Sequence, residues 1–383
     1  MDFQLSQEQE MVRQMVQGFV EKEVRPLASS MDREGHFPRD LLKKLAALGL
    51  MGAYIPPEYG GAGMELVSYV IAMEELSKAW ASLGVIMTVN NSLVCDPIHR
   101  FGTESQKQRY LKPLARGERL GCYALTEPGA GSDAGAIKTR ARRENGGYTL
   151  NGSKIFITNG QQADLAIVYA VTAQEQGKHG ISAFLVEKGT PGFLVGKLED
   201  KMGLRSSDTA ELIFQDCHVP PENLLGVENE GFKIALSTLD GGRIGIAAQA
   251  LGIAQACLEE ATRYARERHQ FGRPIGDFEA IRFMLADMAM EIQAARLLTY
   301  RAAHRRQQGP KITLHSAQAK LLASEMANRV AYKAVQIFGG YGYIKDFPVE
   351  RYYRDARITT LYEGTSEIQR LVIARELLKH YVP

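Results

Sequence analysis

The first residues that could do chemistry lie in a glycine-rich segment at positions 123–135. It reads YALTEPGAGSDAG, a strand-like run followed by three glycines set among the hydroxyls of Thr126 and Ser132. Because glycine has no Cβ, backbone amides there can approach an anionic or carbonyl-rich ligand closely. A glycine-rich surface turn explains the segment equally well. A dinucleotide fingerprint needs a helix directly after the glycines, but a hairpin is predicted there, so a nicotinamide-type Rossmann site is excluded.

Glu363 is the second candidate, in the segment YEGTSEIQR at positions 362–370. The apolar period that runs on to Leu378 predicts a helix whose N-cap is Thr365. A carboxylate just before a helix N-terminus lies at an end of the fold, where clefts form. The alternative is an exposed loop glutamate beside an ordinary cap, and this segment alone favours that alternative.

Two more segments end predicted helices with unusual residues. Positions 336–343, QIFGGYGY, place three glycines within four residues. A helix C-cap needs one glycine, so we expect another group to pack on this backbone. Arg268 closes a second predicted helix and suits a phosphate group, although a solvated arginine at a helix C-terminus is the commoner case.

The remaining reactive residue types form no recognisable site. The eight histidines lack the spacing of metal ligands, and the four cysteines include no C-x-x-C pair. We therefore predict no metal site and no disulfide framework. The G-x-S-x-G elbow and the Walker loop are also missing, which excludes the common hydrolase and NTPase classes.

Three stretches of different periodicity must position these residues. We predict an N-terminal helical domain over 1–119, a middle β domain over 120–230 and a C-terminal helical bundle over 231–383. Long Ala- and Met-rich helices with short connections indicate the bundle. Short strands without helices between them indicate an antiparallel sandwich or barrel in the middle domain. The fold class is therefore α+β.

Two local details of this organisation can be checked directly. The helical signal at 8–26 presents one apolar face and ends at Pro26. That face consists of Met11, Met15, Phe19 and Val24. In the middle stretch, 148–150 and 154–158 are predicted to form a hairpin closed by an Asn151-Gly152 turn.

Composition restricts the partners. The 383 residues include 46 basic and 44 acidic side chains, a formal charge of +2, so neither nucleic acid nor a membrane surface is expected as a partner. A hydrophobic share of 45% and a charged share of 23% are ordinary for a soluble globular protein. No secretory signal or membrane-spanning run is recognised. We expect a cytoplasmic protein, or a mitochondrial matrix protein if a transit peptide was removed.

Taken together, these segments resemble the acyl-CoA dehydrogenase family, and within it the short-chain (butyryl-CoA) branch. The resemblance extends over essentially the whole chain. The matching pieces, in the family's order, are 123–134, 156–160, Arg268 with Phe271-Gly272, 336–340, 351–357 and 362–369. It implies a flavoprotein that uses FAD to convert a short-chain acyl-CoA to trans-2-enoyl-CoA in fatty acid β-oxidation. It also implies a four-helix C-terminal bundle, a homotetramer, and electron-transferring flavoprotein as electron acceptor.

The resemblance also assigns residues by position. Glu363 matches the catalytic base, which takes the α-proton while a hydride passes to flavin N5. The residues expected to bind FAD are Tyr123, Leu125, Thr126, Ser132, Phe156, Ile157, Thr158, Thr365, Ser366 and Glu367, with Arg268, Phe271, Gln336, Gly339 and Gly340 from the adjacent subunit. The residues expected to contact the acyl-CoA are Ser132, Asp240, Arg243 and Gly364. Some relatives, including isovaleryl-CoA dehydrogenase, place the base at the position of Gly242, which has no side chain to act as one.

Three alternatives remain beside this assignment. An acyl-CoA oxidase would share the fold and the base but pass electrons to oxygen. A DNA-binding flavoprotein relative would need a basic face, which a charge of +2 disfavours. Asp96 stands where relatives often have glycine near the wall of the acyl pocket, so it could select a branched or alicyclic acyl group; a polar side chain facing water is the more ordinary explanation.

Overall fold

Two blocks of helices enclose a block of strands in the computed structural model, which describes residues 4–144, 146–309 and 311–380. The helices before the strands are α1 (Gln7–Phe19), α2 (Arg25–Glu34), α3 (Arg39–Ala47), α4 (Leu66–Ala79), α5 (Ala81–Thr88), α6 (Asp96–Phe101), α7 (Glu104–Gln106) and α8 (Lys112–Ala115). Those after them are α9 (Gly231–Glu267), α10 (Glu279–Gln308), α11 (Thr313–Phe338), α12 (Val349–Ile358) and α13 (Ser366–His380). The predicted order of helical, β and helical blocks is confirmed.

One mixed sheet forms the middle block. Its strands are β1 (Gly121–Ala124), β2 (Arg140–Glu144), β3 (Gly147–Thr158), β4 (Leu165–Val171), β5 (Ile181–Glu187), β6 (Phe193–Leu198), β7 (Thr209–Val219) and β8 (Leu224–Leu225). They run in the order β6-β7-β3-β2-β4-β5-β8, with β1 beside β4. The pairing is antiparallel except where β4 meets β1 and, at one residue pair, β2. The long connection from β1 to β4 permits this parallel pairing, which a short hairpin could not provide.

A separate two-stranded ribbon follows α9. It consists of β9 (His269–Gln270) and β10 (Arg273–Pro274), paired antiparallel. Its turn carries Phe271 and Gly272, both with positive φ. The ribbon therefore presents Phe271 at the tip of a tight turn, where the side chain is 92% exposed.

Prolines mark π-helical turns in the first helical block. These turns, Val20–Val24, Val89–Cys95 and Lys107–Leu111, are each followed by a residue and then by Pro26, Pro97 or Pro113. A π turn pairs N–H groups five residues back, as Arg25 N–H does with Val20 O. Proline has no N–H to give to a regular helix, and the wider turn accommodates that loss. The prediction that Pro26 ends the first helix is therefore wrong, because the helical path continues through it to Glu34.

The buried face of α1 also differs from the predicted one. Val12 and Val16 of α1 pack inward together with Val20 and Val24 of the following π turn, at a regular spacing of four. Of the predicted face, Val24 is confirmed as buried. Met11 is 62% exposed, while Met15 and Phe19 pack at the margin of the core. The β-branched valines thus form the buried stripe, one residue away from the methionine stripe that the sequence suggested.

The predicted Asn151-Gly152 hairpin turn is wrong as well. Strand β3 runs straight through both residues, and its pairing with β7 shifts register between Leu150 and Gly152. Gly152 has φ 147, and a Cβ there would lie 2.6 Å from Thr139 Oγ1. The glycine therefore serves a β-bulge, and the hairpin is formed by β2 and β3, with Glu144 opposite Gly147.

Close backbone contact joins the two helical blocks. Helices α9, α10, α11 and α13 pack into the C-terminal bundle, and α4 lies against α9. The contact is tight at Gly252 of α9, where a Cβ would lie 2.3 Å from Glu74 O and 2.8 Å from Lys78 N. No helix in the described ranges is long and apolar enough to cross a bilayer.

Gly252→Ala is expected to lower the free energy of unfolding by about 1–3 kcal/mol, since α4 and α9 must separate to accept the methyl group. Chemical denaturation curves of parent and variant give the measurement. Gly18→Ala is the matched control, because Gly18 lies on α1 with no atom within 4 Å of an added Cβ and alanine favours helix over glycine. Equal denaturation midpoints for Gly252→Ala and the parent would contradict the packing described.

Candidate active site

A cleft forms where all three blocks meet. Its empty volume, with the open solvent at its mouth included, is about 970 Å³. The lining residues are Val85, Val89, Leu93, Tyr123, Leu125, Thr126, Gly131, Ser132, Ala134, Phe156, Ile157, Thr158, Leu236, Leu239, Arg243, Tyr362, Glu363, Gly364 and Ile368. Most of these are apolar or aromatic, so the cleft suits a ligand with a flat or aliphatic part and few polar contacts.

Glu363 projects into this cleft from a left-handed turn. Its φ is 53°, and Gly364 follows with φ 91°. A non-glycine residue in this region costs of the order of 1–3 kcal/mol and persists only where surrounding contacts enforce it. The Oε2 atom is buried and has no hydrogen-bond partner, so the expectation of an exposed loop glutamate is wrong.

Burial determines the acidity of Glu363. Loss of water around the carboxylate raises the pKa of Glu363 to about 7, and the positive charges of Lys320 and Arg243 limit the rise. A carboxyl group with this pKa is a far better proton acceptor than one in water, and it is still ionised in a large fraction of molecules at neutral pH. The arrangement can remove a proton from a weakly acidic carbon.

Helix α9 leaves room for that carboxylate. A Cβ at Gly242 would lie 2.1 Å from Glu363 Oε2 and 2.8 Å from Leu93 Cδ2. Glu363 therefore occupies the space that a side chain at position 242 would need. Positions 242 and 363 thus converge on one point in this fold.

The opposite wall comes from the end of β1 and the end of β3. Six residues predicted to contact a cofactor line it: Tyr123, Leu125, Thr126, Phe156, Ile157 and Thr158. Phe156 has φ 60 and is 60% exposed, so its ring is free to stack on a ligand. The structure brings these residues and Glu363 together.

A buried ion pair holds this wall in shape. Lys154 Nζ lies 2.7 Å from Glu127 Oε1 and donates to Leu125 O at 3.2 Å. Glu127 also accepts the backbone N–H groups of Lys138 and Thr139. Burial lowers the pKa of Lys154 to about 8, and the adjacent carboxylate keeps its charge favourable. The sequence did not reveal this pair, although Glu127 lies within the glycine-rich segment.

A second cleft continues from the first. It shares Val85, Phe156, Thr158 and Tyr362 with the Glu363 cleft. Its remaining lining residues are Glu199, Asp200, Lys201, Met202, Gly203, Leu204, Ser207, Thr209, Arg354, Arg357, Ile358 and Leu361. None of these remaining residues was predicted as a site residue from the sequence. The charged side chains among them are of both signs, three basic and two acidic.

The start of α13 lies beside the Glu363 cleft. Thr365 caps the helix, as predicted, by accepting the Ile368 N–H at 3.4 Å. Ser366 is buried with an unpartnered Oγ, whereas Glu367 points outward. Ser366 lines neither cleft, whereas Gly364 and Ile368 on either side of it line the Glu363 cleft.

Five predicted cofactor residues lie elsewhere in the single chain. Arg268, Gly339 and Gly340 line a third cleft at the ends of α9 and α11, which shares no lining residue with the Glu363 cleft. Added Cβ atoms on Gly339 and Gly340 would meet nothing within 4 Å. Gln336 and Phe271 are exposed near this end. One chain therefore does not unite this set with Glu363.

The predicted substrate residues divide in the same way. Ser132, Arg243 and Gly364 line the Glu363 cleft. Asp240 lies behind Arg243, accepting its Nη1 at 2.6 Å and the Thr313 hydroxyl at 2.6 Å. Asp240 therefore orients Arg243 and does not itself face the cleft.

Asp96 does not face water. It is 5% exposed and lies 2.7 Å from Arg306 Nη2 and 3.4 Å from Arg100 Nη1. The π turn Val89–Cys95 carries it to the side where α10 ends. The ordinary explanation offered by the sequence is thus wrong, and the carboxylate is committed to an ion pair.

Several lining residues carried no signal in the sequence. Val85, Val89 and Leu93 come from α5 and its π turn, and Leu236 and Leu239 from α9. Helix α5 is buried on every side, so no polar stripe distinguishes its cleft-facing residues. Within the described residues, no group of three or more His, Cys, Asp or Glu side chains could hold a metal ion.

Curated relatives match the whole chain. Short-chain specific acyl-CoA dehydrogenase from Clostridium acetobutylicum is 53% identical over 99% of this chain and 100% of its own. Mitochondrial short-chain specific acyl-CoA dehydrogenase from Rattus norvegicus is 53% identical over 99% of this chain and 92% of its own. Relatives of this kind thus occur both in bacteria and in mitochondria.

Solved structures agree with that similarity. Butyryl-CoA dehydrogenase from Megasphaera elsdenii gives a TM-score of 0.97 at 50% identity, covering 99% of this chain and 100% of its own. A chain described with the electron transferring flavoprotein of Acidaminococcus fermentans gives a TM-score of 0.98 at 53% identity, covering 99% of this chain and 100% of that one. The FAD complex of PigA gives a TM-score of 0.94 at 32% identity, covering 98% of this chain and 99% of that one.

Family profiles cover the same ground. The N-terminal, middle and C-terminal domains of acyl-CoA dehydrogenase match residues 6–118, 122–217 and 229–378. Together with identities above 50% over nearly the full chain, these matches confirm the resemblance seen in the sequence. The chain belongs to the acyl-CoA dehydrogenase family.

Proposed function

We propose that this chain is an FAD-dependent acyl-CoA dehydrogenase, which converts a short-chain acyl-CoA to trans-2-enoyl-CoA with Glu363 as the catalytic base. One observation carries the proposal. A buried carboxylate, held in a strained turn, faces an exposed aromatic ring and the Thr158 hydroxyl across a largely apolar cleft. The three domains are assigned to 1–119, 120–230 and 231–383.

The residues present fit FAD. Phe156 offers an open ring face, and Thr126 and Thr158 offer hydroxyls in the cleft. We assign the flavin ring to the wall formed by Tyr123, Leu125, Thr126, Phe156, Ile157 and Thr158, with Ser132, Thr365, Ser366 and Glu367 nearby. When bound, FAD supplies the hydride acceptor.

Glu363 takes the proton in this scheme. The α-carbon of an acyl thioester is far less acidic than a carboxylic acid, so an ordinary glutamate would be too weak a base. Burial raises the pKa of Glu363 to about 7, and each pKa unit is worth about 1.36 kcal/mol. We assign the Glu363 N–H as a donor to the thioester oxygen, and one such donor is worth about 2.7–4 kcal/mol.

The cleft walls favour a short aliphatic acyl chain. Val85, Val89, Leu93, Leu239 and Ile368 line the cleft around Glu363, and they exclude water from the reacting carbons. Ser132, Arg243 and Gly364, with Asp240 behind them, are assigned to the acyl-CoA. Short-chain specificity in the matched relatives supports this assignment.

A homotetramer would complete the site. The cleft of Arg268, Gly339 and Gly340 is open and separate from Glu363 in one chain, and Phe271 is 92% exposed beside it. We assign these residues and Gln336 to the adenosine diphosphate part of FAD bound mainly by a neighbouring subunit. Electron-transferring flavoprotein is the proposed acceptor, and β-oxidation in the cytoplasm or the mitochondrial matrix the proposed setting.

Glu363→Gln is expected to lower kcat by about 10²–10⁴-fold, because the amide cannot accept the α-proton. FAD absorbance and acyl-CoA binding should stay unchanged, since the side chains are nearly the same size. Butyryl-CoA turnover with a dye acceptor gives the measurement. Glu376→Gln on α13, an ion-paired residue away from the cleft, serves as control. Near-normal turnover of Glu363→Gln would show that Glu363 is not the catalytic base.

The pH dependence of kcat/KM should follow the Glu363 carboxyl. Only the ionised form accepts a proton, and its pKa is raised to about 7, so kcat/KM should fall as pH drops through about 7 and level off above it. Initial rates over about pH 5–9 test this. A profile flat down to about pH 5.5 would indicate a glutamate of ordinary pKa and would contradict the buried setting.

Steady-state rates over C4, C6, C8, branched and alicyclic acyl-CoAs test the substrate class. We expect kcat/KM to be highest for the C4 chain and to fall with length, since the relatives matched over nearly the whole chain are short-chain specific. A maximum with a branched or alicyclic substrate would replace the short-chain assignment. Rapid peroxide formation without an added carrier would instead identify an oxidase.

A further inference from the structure

A buried lysine lies directly behind the Glu363 turn and was not among the sequence-predicted site residues. Lys320 belongs to α11, in an apolar and small-residue stretch, and its side chain is fully buried. Its Nζ donates to Gly364 O at 2.8 Å. A buried ammonium group is unfavourable unless it has a structural or functional partner, and here that partner is the backbone next to Glu363.

The carbonyl groups of this turn are held from two sides. Gln369 Nε2 donates to Glu363 O at 3.1 Å and to Gly364 O at 2.9 Å, while Lys320 reaches Gly364 O from α11. A Cβ on Gly364 would lie 2.5 Å from Gln369 Nε2, so the approach is close. Two successive left-handed residues would relax toward commoner backbone angles without such contacts.

Building on the function proposed above, we propose that Lys320 is a positioning residue. By donating a hydrogen bond to the carbonyl of Gly364, it keeps the Glu363 carboxylate directed into the cleft. Lys320 lies on the far side of the turn and lines none of the clefts described, so it acts through the backbone. A shift of about 1 Å in a reacting group can cost about 100-fold in rate.

Charge accompanies this mechanical role. Glu363 is faced by Lys320 of α11 and Arg243 of α9, and both positive charges favour its ionised form. Lys320 itself is surrounded by Glu363, Arg243, Glu325 and Glu367, and burial lowers the pKa of Lys320 to about 8. Removing the Lys320 charge should therefore raise the pKa of Glu363 further and move the acidic limb of the pH profile to higher pH.

Lys320→Met in the holoenzyme tests the proposal. Methionine keeps the length and removes both the donor and the charge. Lys333→Met is the matched control, because Lys333 lies on the same helix but pairs with Asp287 and Glu291 at the surface. We expect Lys320→Met to lower kcat by about 10–100-fold, to change KM little, and to move the acidic limb of the pH profile to higher pH. Lys333→Met should leave both kcat and the pH profile unchanged.

A spectroscopic readout does not depend on turnover. The protonated Glu363 carboxyl should give an infrared band in the resting holoenzyme, identified by its loss in Glu363→Gln, and its titration midpoint should rise in Lys320→Met. Lys320→Gln, which keeps an N–H donor without the charge, gives the same midpoint shift with a smaller loss of kcat. It also serves if the methionine variant does not fold.

The two proposals fail differently. Full turnover in Glu363→Gln would overturn the function proposed for the site. Loss of turnover in Glu363→Gln, with parental kcat and an unmoved infrared midpoint in Lys320→Met, would overturn only the role of Lys320. A rise in KM alone, or equal effects of the two Lys→Met variants, would likewise contradict the proposed positioning role of Lys320.

Discussion

The site depends on keeping one carboxylate dry while leaving it able to ionise. Burial alone would push Glu363 toward its neutral form, and full pairing with a cation would make it a poor base. The fold avoids both extremes by placing Lys320 and Arg243 near enough to favour the charge, with Oε2 left unpartnered. A pKa of about 7 follows from that balance.

Backbone strain is the means by which the carboxylate reaches its place. Glu363 and Gly364 both adopt positive φ, and the turn is fixed by Lys320 and Gln369 through its carbonyl groups. Gly242 on α9 completes the arrangement, since any side chain there would occupy the same space. Three elements that are distant in sequence therefore determine one geometry, and none of them can change independently.

Much of this was accessible from the sequence. The order of helical and β blocks, the Thr365 cap and the wall at Phe156–Thr158 followed from periodicity, capping chemistry and family resemblance. Lys320 was not accessible, because a single lysine in a helical pattern gives no sign that it is buried. Val89 and Leu93 were hidden in a π turn that is buried on every side, so no exposed face marks the residues that border the cleft. The cleft at Arg268 shares no lining residue with the Glu363 cleft, and only the proposed second chain would join them.

Pro26, which the sequence predicted to be a helix end, shares its setting with two other prolines. A proline usually ends a helix, yet Pro26, Pro97 and Pro113 each follow a π turn through which the helix continues. A π turn holds one residue more than the α turn that it replaces, which rotates everything beyond it by about 100°. Because of the turn at Val89–Cys95, residues before and after it face different sides of the helix. Val89 and Leu93 border the cleft, while Asp96 pairs with Arg306. Because Pro97 follows this turn and has no N–H for a regular helix, an ordinary α turn cannot simply replace it, and the helix backbone shapes the ligand space together with the side chains.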